Sequence, residues 1–215
     1  MSEKISDENF YRFDVAEMPT NEAYRLLIHC VAPRPIAFVS TLSKKGEANL
    51  APFSFFMGGG SNPPSVAFAP NVEVSGKPKD TLLNIQETGE YTINVVSHNI
   101  LEQMNQASYR YPHGVSEWDK TGLTMAPAKK VRPAHVAESL MAMECKLFQI
   151  VHHGTDVGSA NYVIGEVVYF HIAKSIMTDG HVDPTLVDYV ARMGGRWYTR
   201  ATREAMFQLE RPRDG

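Results

Sequence analysis

The sequence is poor in cysteine: Cys30 and Cys145 are the only two in 215 residues. That density excludes a disulfide scaffold. Without a C-x-x-C pair, neither a zinc ribbon nor a thioredoxin-type motif can be built. No apolar run approaches the roughly 18 residues that a membrane-crossing helix needs. Basic charge is short as well. Lys and Arg number 21 against 24 Asp and Glu, a net charge of −3. The densest basic clusters, Lys44-Lys45 and Lys129-Lys130-Val131-Arg132, are too small to form a nucleic-acid footprint. Also missing are a G-x-G-x-x-G after a strand, the P-loop spacing upstream of Gly76-Lys77, a G-x-S-x-G elbow, internal repeats and low-complexity tracts. The opening MSEKISDENFYRFD is acidic and polar, unlike a signal peptide, so the expected compartment is the cytoplasm.

What is present is a globular composition, 43% hydrophobic, 21% charged and 10% aromatic. No boundary signal divides the chain, so one domain over 1–215 is expected, with residues 1–20 as an extended arm over the body. Residues 21–30 read as a short helix stopped by Pro33 and Pro35. Ile36–Leu42 and Ala48–Phe56 read as a hairpin turning at Ser43-Lys44-Lys45-Gly46. Gly58–Pro64 reads as a loop and Ser65–Ala69 as a strand. Pro78–Thr88 reads as a helix with Gly89 as its stop. Tyr91, Ile93 and Val95 alternate as in a half-buried strand, and Leu101–Ala107 reads as a second helix. Residues 108–135, with Tyr109, Tyr111, His113 and Trp118, read as an excursion covering a site. Met141–His152 and Tyr162–Ala173 are long strands, and Arg203–Arg211 reads as a last one. Many short strands with few helices predict a mainly β chain, its antiparallel sheet closed into a barrel.

Most chemistry-bearing residues carry ordinary readings. His152 and His153 would point to opposite sheet faces, a poor metal pair. His181-x-Asp183 reads as a solvated turn, so no metal site is expected. Cys145 reads as a buried small hydrophobe. Two segments say more. In Ala48–Phe56, Pro52 cannot donate a ladder bond, so the strand is bulged or at an edge there. Neighbouring N–H groups, the hydroxyls of Ser40, Thr41 and Ser54, and the rings of Phe53, Phe55 and Phe56 would suit a planar heterocycle. An ordinary aromatic core strand is the competing reading. In Ser75–Asn84, two lysines, a serine and a threonine sit at a helix start, which suits a phosphate. Asp80 is unfavourable beside a phosphate and reads as the cap of that helix. A plain capped surface helix is the competing reading.

A resemblance joins these segments. Its stretches are Arg34-Pro35-Ile36, Val39-Ser40-Thr41, Gly46 with Asn49-Leu50-Ala51-Pro52-Phe53-Ser54-Phe55-Phe56, and Pro63-Pro64. They continue through Lys79-Asp80-Thr81 with Asn84, Gly89 with Asn94-Val95, Glu138-Ser139, Glu144-Cys145, Ile164-Gly165-Glu166-Val167, and Arg192-Met193-Gly194-Gly195 with Tyr198. In this order the sequence resembles the flavin reductase-like family of FMN-binding split-barrel proteins, which includes the flavoredoxins. The resemblance implies a Greek-key split β-barrel, a homodimer and non-covalent FMN, with FAD less expected. It implies cofactor contacts at Ser40, Thr41, Asn49, Ala51, Ser54, Phe55, Lys79, Asp80 and Thr81, with Arg34 and Arg192 as weaker members. It implies no role for Gly58-Gly59-Gly60-Ser61.

The activity so implied is an NAD(P)H-dependent flavin oxidoreductase with no catalytic side chain, because the flavin carries the chemistry. With no dinucleotide fingerprint, NAD(P)H would dock transiently as a small-molecule donor. Electrons would pass to a small-molecule acceptor or a partner monooxygenase. Neither nucleic acid nor membrane is expected as a partner. The alternatives are a flavoredoxin-type electron carrier without NAD(P)H turnover, a split-barrel protein with another ligand, and an FMN-dependent enzyme acting on an organic substrate.

Overall fold

The computed structural model describes residues 9–111 and 115–212. In chain order its elements are α1 (Thr20–Cys30), β1 (Ala37–Leu42), β2 (Ala48–Phe53), β3 (Phe56–Ser61), β4 (Pro64–Phe68), α2 (Asp80–Thr88), β5 (Glu90–Val95), α3 (Leu101–Gln106) and α4 (Glu117–Thr121). Then come β6 (Met125–Ala126), β7 (His135–Val136), β8 (Met141–His153), β9 (Ala160–Ile172), β10 (Met177–Thr178), β11 (His181–Val182), β12 (Tyr189–Gly194) and β13 (Trp197–Ala201). Seven antiparallel strands form the main sheet, in the order β2-β1-β5-β8-β9-β4-β3.

That order contains a strong constraint. β2 and β3 follow one another in the chain yet lie on opposite edges of the sheet. Only Ser54 and Phe55 separate them, and so short a link spans roughly 10 Å at most. The sheet must therefore curl until its edges nearly meet, and the Phe55 carbonyl, accepting the N–H of Ala69 at 2.9 Å, extends the β3–β4 ladder back into the link. The result is a Greek-key split barrel, open between β2 and β3.

The barrel interior gathers Ala37, Val39, Phe53, Val66, Phe68, Tyr91, Ile93, Cys145, Val163 and Val167, and Leu82 and Ile85 of α2 pack into the same core. A second core lies outside the curl, where Ile36, Phe38 and Leu50 meet Met104, Trp118, Leu123, Val136 and Val190. β1 is thus covered on both faces, and Ala37 to Thr41 are all buried instead of alternating between core and solvent. Burial pushes the Cys145 thiol well up, leaving it inert.

The segment 129–136 contains no strand before β7, so its N–H groups need side-chain acceptors. The outer faces of β5 and β8 supply them. Glu144, wholly buried, accepts from Lys129 at 2.7 Å, Lys130 at 2.5 Å and Val131 at 3.1 Å. Asn94 accepts from Val136 at 2.8 Å, and Thr92 donates to the Pro133 carbonyl at 2.8 Å. Glu90 accepts from the Arg132 backbone and its Nε at 3.2 and 3.1 Å. His171 Nε2 lies 2.6 Å from Glu144, and its ring stacks on His135 at 4.1 Å. Burial raises the Glu144 carboxyl, but the His171 and backbone bonds outweigh it and hold it below the usual range.

Several expectations are corrected. Gly58–Ser61 is not a loop but part of β3, and the turn is confined to Asn62-Pro63. Glycines lack the side chains that mark a strand, so an exposed edge strand of this kind is silent in the sequence. Arg203–Arg211 is not a strand: a 3-10 turn at Arg203–Ala205 leads into an unpaired stretch with Phe207 and Leu209 exposed. The alternation in EAMFQLE meets no pairing strand among the described residues. The β12–β13 hairpin was not anticipated. In the arm, Phe10, Tyr11 and Phe13 point outward rather than packing on the body; residues 1–8 and His113 lie outside the described residues. Pro52 sits at an edge, with its register to Phe38 unbroken, so no bulge forms. Asp183 caps a 3-10 turn by accepting the Thr185 N–H at 2.9 Å. Among the described residues no three metal-ligating side chains gather, and no helix is long and apolar enough to cross a membrane.

Two predictions follow from packing. At Gly165 an added Cβ would collide with the Tyr91 hydroxyl and lie 2.7 Å from Tyr91 Cζ and 3.0 Å from the Lys146 carbonyl. Gly165→Ala is expected to cost about 1–3 kcal/mol by urea denaturation. Tyr91→Phe should recover part of that cost, since the buried Tyr91 hydroxyl has no hydrogen-bond partner. Glu144→Gln is expected to cost at least about 2 kcal/mol at neutral pH. Because the folded-state carboxyl is held low, its contribution is complete above the unfolded value near about 4.3 and vanishes as pH falls through the folded one. The stability gap between wild type and Glu144→Gln should therefore close in acid. A gap that stays constant down to about pH 3 would refute the assignment.

Candidate functional site

β2 carries a different group of expected residues at each end. Its six residues span about 20 Å at roughly 3.4 Å each. At the Ala48 end, Thr41 lies opposite Asn49 in the register. Asn49 Nδ2 donates to Thr41 Oγ1 at 3.2 Å and to Thr81 Oγ1 at 2.9 Å. Asn84 Nδ2 donates to the same Thr41 oxygen at 3.0 Å. This knot of short polar side chains ties the first turns of α2 to the hairpin. Thr41, Thr81 and Asn84 are buried in it.

The start of α2 differs from the expected one. The cap residue is Lys79, in extended geometry, and no side chain caps the helix. Asp80 is instead the first helical residue, exposed on the outside. The first-turn N–H groups are thus left without a side-chain acceptor, an arrangement that attracts anions. Lys79 Nζ is held by Glu73 Oε1 at 2.7 Å. That bond keeps the Glu73 carboxyl below the usual range against burial, which raises it, and the Arg110 charge adds to the lowering.

At the other end lie Ser54 and Phe55, the link across the seam. Tyr24 meets the Phe55 ring edge-on at 6.3 Å, and the Arg34 guanidinium sits 5.7 Å from the ring centre. Arg34 is buried and committed to structure. Its Nη1 donates to the carbonyls of Ile28 and, at 2.6 Å, Val31, where α1 ends. Its backbone exchanges two 2.9 Å bonds with Arg192. Its buried Nε has no hydrogen-bond partner. Arg192 donates to Tyr198 Oη and to the Gly195 carbonyl, each at 2.7 Å, with its guanidinium 4.7 Å from the Tyr198 ring centre. Neither arginine is an unengaged cation.

The expected residues therefore divide. Asn49 and Ala51 share the inner face with Thr41, and Lys79, Asp80 and Thr81 adjoin them at α2. Ser54, Phe55, Arg34 and Arg192 gather at the seam. Ser40 stands apart, because consecutive strand residues point to opposite faces. It is buried beside Phe38 and Leu50 positions on the outer face, not with Thr41.

The edge of β2 is half covered. The Leu50 N–H donates outward to Glu117 Oε2 at 3.3 Å, and Ser116 Oγ donates to the Ala48 carbonyl at 3.4 Å. The N–H groups expected to face a ligand are thus partly taken by α4, while Ala51, Pro52, Ser54 and Phe55 remain half-exposed. Burial raises the Glu117 carboxyl first, two backbone N–H bonds lower it, and the charge of Asp80 raises it again. Sequence reasoning missed Glu117. Ser116, the cap, and Gly122, the left-handed stop, signal a short helix there, but its contact with Leu50 is 67 residues away. Trp118, from the same helix, packs into the outer core beneath the segment rather than over an open site. Hollows of about 540 Å³ along Asn105–Arg110 and about 410 Å³ around His135 and His171 are also present. The candidate site is an open rim along β2.

Comparisons with known proteins agree with this fold. A model of the flavin reductase like domain matches residues 29–193. An uncharacterized protein of Deinococcus radiodurans is 39% identical, covering 93% of this chain and 88% of its own. Nitrilotriacetate monooxygenase component B from Bacillus cereus is similar in structure, with a TM-score of 0.86 and 27% identity, over 93% of this chain and 98% of that one. The 2-nitrobenzoate 2-nitroreductase NbaA of Pseudomonas fluorescens has a TM-score of 0.83 and 27% identity, over 95% of this chain and all of that one (100%). With the family model covering most of its length and the curled sheet split at β2, the chain belongs to the flavin reductase-like domain family.

Proposed function

We propose that the protein binds FMN along β2 as a homodimer, takes hydride from NAD(P)H and passes electrons to an acceptor. The observation that carries this reading is the layout of β2. An uncapped helix start with Lys79 and Thr81 lies at one end, and a half-open edge with Phe55 lies at the other. A planar ring joined to a phosphate by a flexible chain suits such a strip. The residues fit the group: the buried Arg34 Nε has no partner, and the first-turn N–H groups of α2 have no side-chain cap.

When bound, the flavin supplies the two-electron chemistry. The chain's own task is binding, orientation and electrostatics. Lys79, Thr81 and the first N–H groups of α2 would hold the phosphate, Lys79 releasing Glu73 to do so. Asp80, exposed at the helix start, would sit at the margin of that contact. Asn49, held by Thr41 and Thr81, would present its amide to the connecting chain. Ala51, Ser54 and Phe55 would border the ring, and Ser40 would act from the outer face through the β1 backbone alone. Arg34 and Arg192 would place positive charge near the ring's polar edge, favouring the reduced form by preorganised electrostatics.

Dimerisation has physical support. β3 is an unpaired edge with Met57 exposed, and β8 and β9 expose Phe148, Tyr162 and Phe170. Open edges and apolar faces of this kind call for a cover. The likeness to a monooxygenase component B favours a separate monooxygenase as acceptor, and cytoplasmic residence is part of the same reading.

The test is spectroscopic. The purified protein, supplied with FMN and desalted, should retain flavin absorbance. Under anaerobic conditions NADH or NADPH should bleach it. Retention without bleaching by either nucleotide would replace the reductase reading with a flavoredoxin-type carrier. A colourless protein after FMN is supplied would reject both.

A further inference from the structure

Glu117 is a half-buried acid with no part in the reading above. It stands in the first turn of α4, and its carboxylate accepts the outward N–H of Leu50 at 3.3 Å. The neighbouring Asn49 bonds Thr81 at the start of α2. The carboxyl therefore shares one corner with the proposed phosphate position. The charge of Asp80, first residue of α2, reaches it there. The other groups around it offer little relief. β2 has no titratable side chain, α3 has only Glu102, and α2 has Asp80 and Glu87. On α4 itself Asp119 and Lys120 follow it. Lys79, the nearest cation in the α2 sequence, is engaged by Glu73.

A phosphate dianion placed at Lys79 and Thr81 would add negative charge to a corner that already holds two carboxylates. Two like charges at short range in a partly buried site are costly, and a proton is the cheapest remedy. A protonated carboxyl keeps an oxygen to accept from Leu50 and gains a donor for a phosphate-bearing ligand. We propose that Glu117 takes up a proton from solvent when the phosphate of the flavin occupies the start of α2, so that the site prefers the phosphorylated flavin more strongly as pH falls. The inference rests on the flavin reading. Only a proton moves, from solvent to the Glu117 carboxylate, and no electron is transferred.

The test compares FMN with riboflavin, which lacks the phosphate, on wild type and Glu117→Gln. Gln is a permanent stand-in for the neutral carboxyl. Dissociation constants would be measured by flavin fluorescence quenching from about pH 5.5 to about pH 8. Free FMN loses its second phosphate proton near about pH 6, so the readout is the ratio of the wild-type to the Glu117→Gln constant, which cancels that ionisation. For FMN the ratio should be lowest in acid and climb to about 5–10-fold at the alkaline end, a coupling of up to about one pKa unit. For riboflavin it should stay flat. Calorimetry in buffers of different ionisation enthalpy should show proton uptake by wild type that Glu117→Gln lacks. Should Glu117→Gln fail to fold, Glu117→Ala, which also removes the titrating group, serves in its place and is read as the same ratio. A flat FMN ratio, or an equal rise with riboflavin, overturns the role of Glu117 and leaves the flavin reading intact. Failure of both proteins to bind FMN at any pH overturns the flavin reading itself.

Discussion

The two-residue link Ser54-Phe55 is the constraint on which the rest of the structure depends. It joins strands at opposite edges of a seven-stranded sheet, so the sheet has no choice but to curl. Curling creates an interior that needs filling, and Phe53, Phe68 and Tyr91 pack ring against ring there at 5.1 and 5.7 Å. It also leaves β2 as a free edge beside the seam. An edge strand is normally a hazard, because its unpaired N–H and C=O groups invite another chain. Here half of that edge is closed by α4, and the other half is where the family resemblance puts a ligand. Pro52 suits this position, since a proline on an edge gives up no ladder bond.

The second layer of organisation is polar rather than apolar. The stretch 129–136 forms almost no ladder, and Glu90, Thr92, Asn94 and Glu144 on adjacent strands take over the role of a partner strand. A buried carboxylate receiving three consecutive N–H groups is affordable only because every bond is made; removing one acceptor strands several donors. The stitching has a consequence at a distance. It pins the covering segment against β5 and β8, and the same segment carries Ser116, Glu117 and Trp118 onto β2. The rim of the candidate site is thus held by bonds made on the far side of β5.

How much of this was legible in the sequence depends on whether the signal was local. The β1–β2 hairpin was, because Gly46 takes φ +86° in a tight turn and apolar residues flank it. The α2 helix was, with Gly89 at φ +71° as its stop. The strand 56–61 was not, since glycines carry no periodicity, and the final EAMFQLE shows the reverse failure, a periodicity with nothing to pair against. At the site, residue types were readable but faces were not. Ser40 and Thr41 both looked like hydroxyls for a ligand, and a period of two sends them to opposite sides. Asp80 looked like a cap by composition, yet the chain enters α2 one residue earlier. Glu117 and Glu144 act through contacts made across dozens of residues, which no local pattern encodes.

The charges at the rim bear on how tightly a flavin could be held. A net charge of −3 leaves no general field to attract an anion, and the three cations expected at the site already have partners. Lys79 holds Glu73, Arg34 holds the end of α1, and Arg192 holds Tyr198 and Gly195. Binding a phosphate is therefore an exchange of partners, in which the gain at Lys79 is offset by freeing the Glu73 carboxylate. Such exchanges yield far less than the bare attraction, because each broken bond returns a charge to be resolvated. Affinity on this rim would then come chiefly from the ring's contact with β2 and from backbone donors, with charge deciding which ligand fits rather than how firmly it stays. A rim of this kind would suit a flavin that can leave as well as one that remains, and the ring's contact with β2 would set where the balance falls.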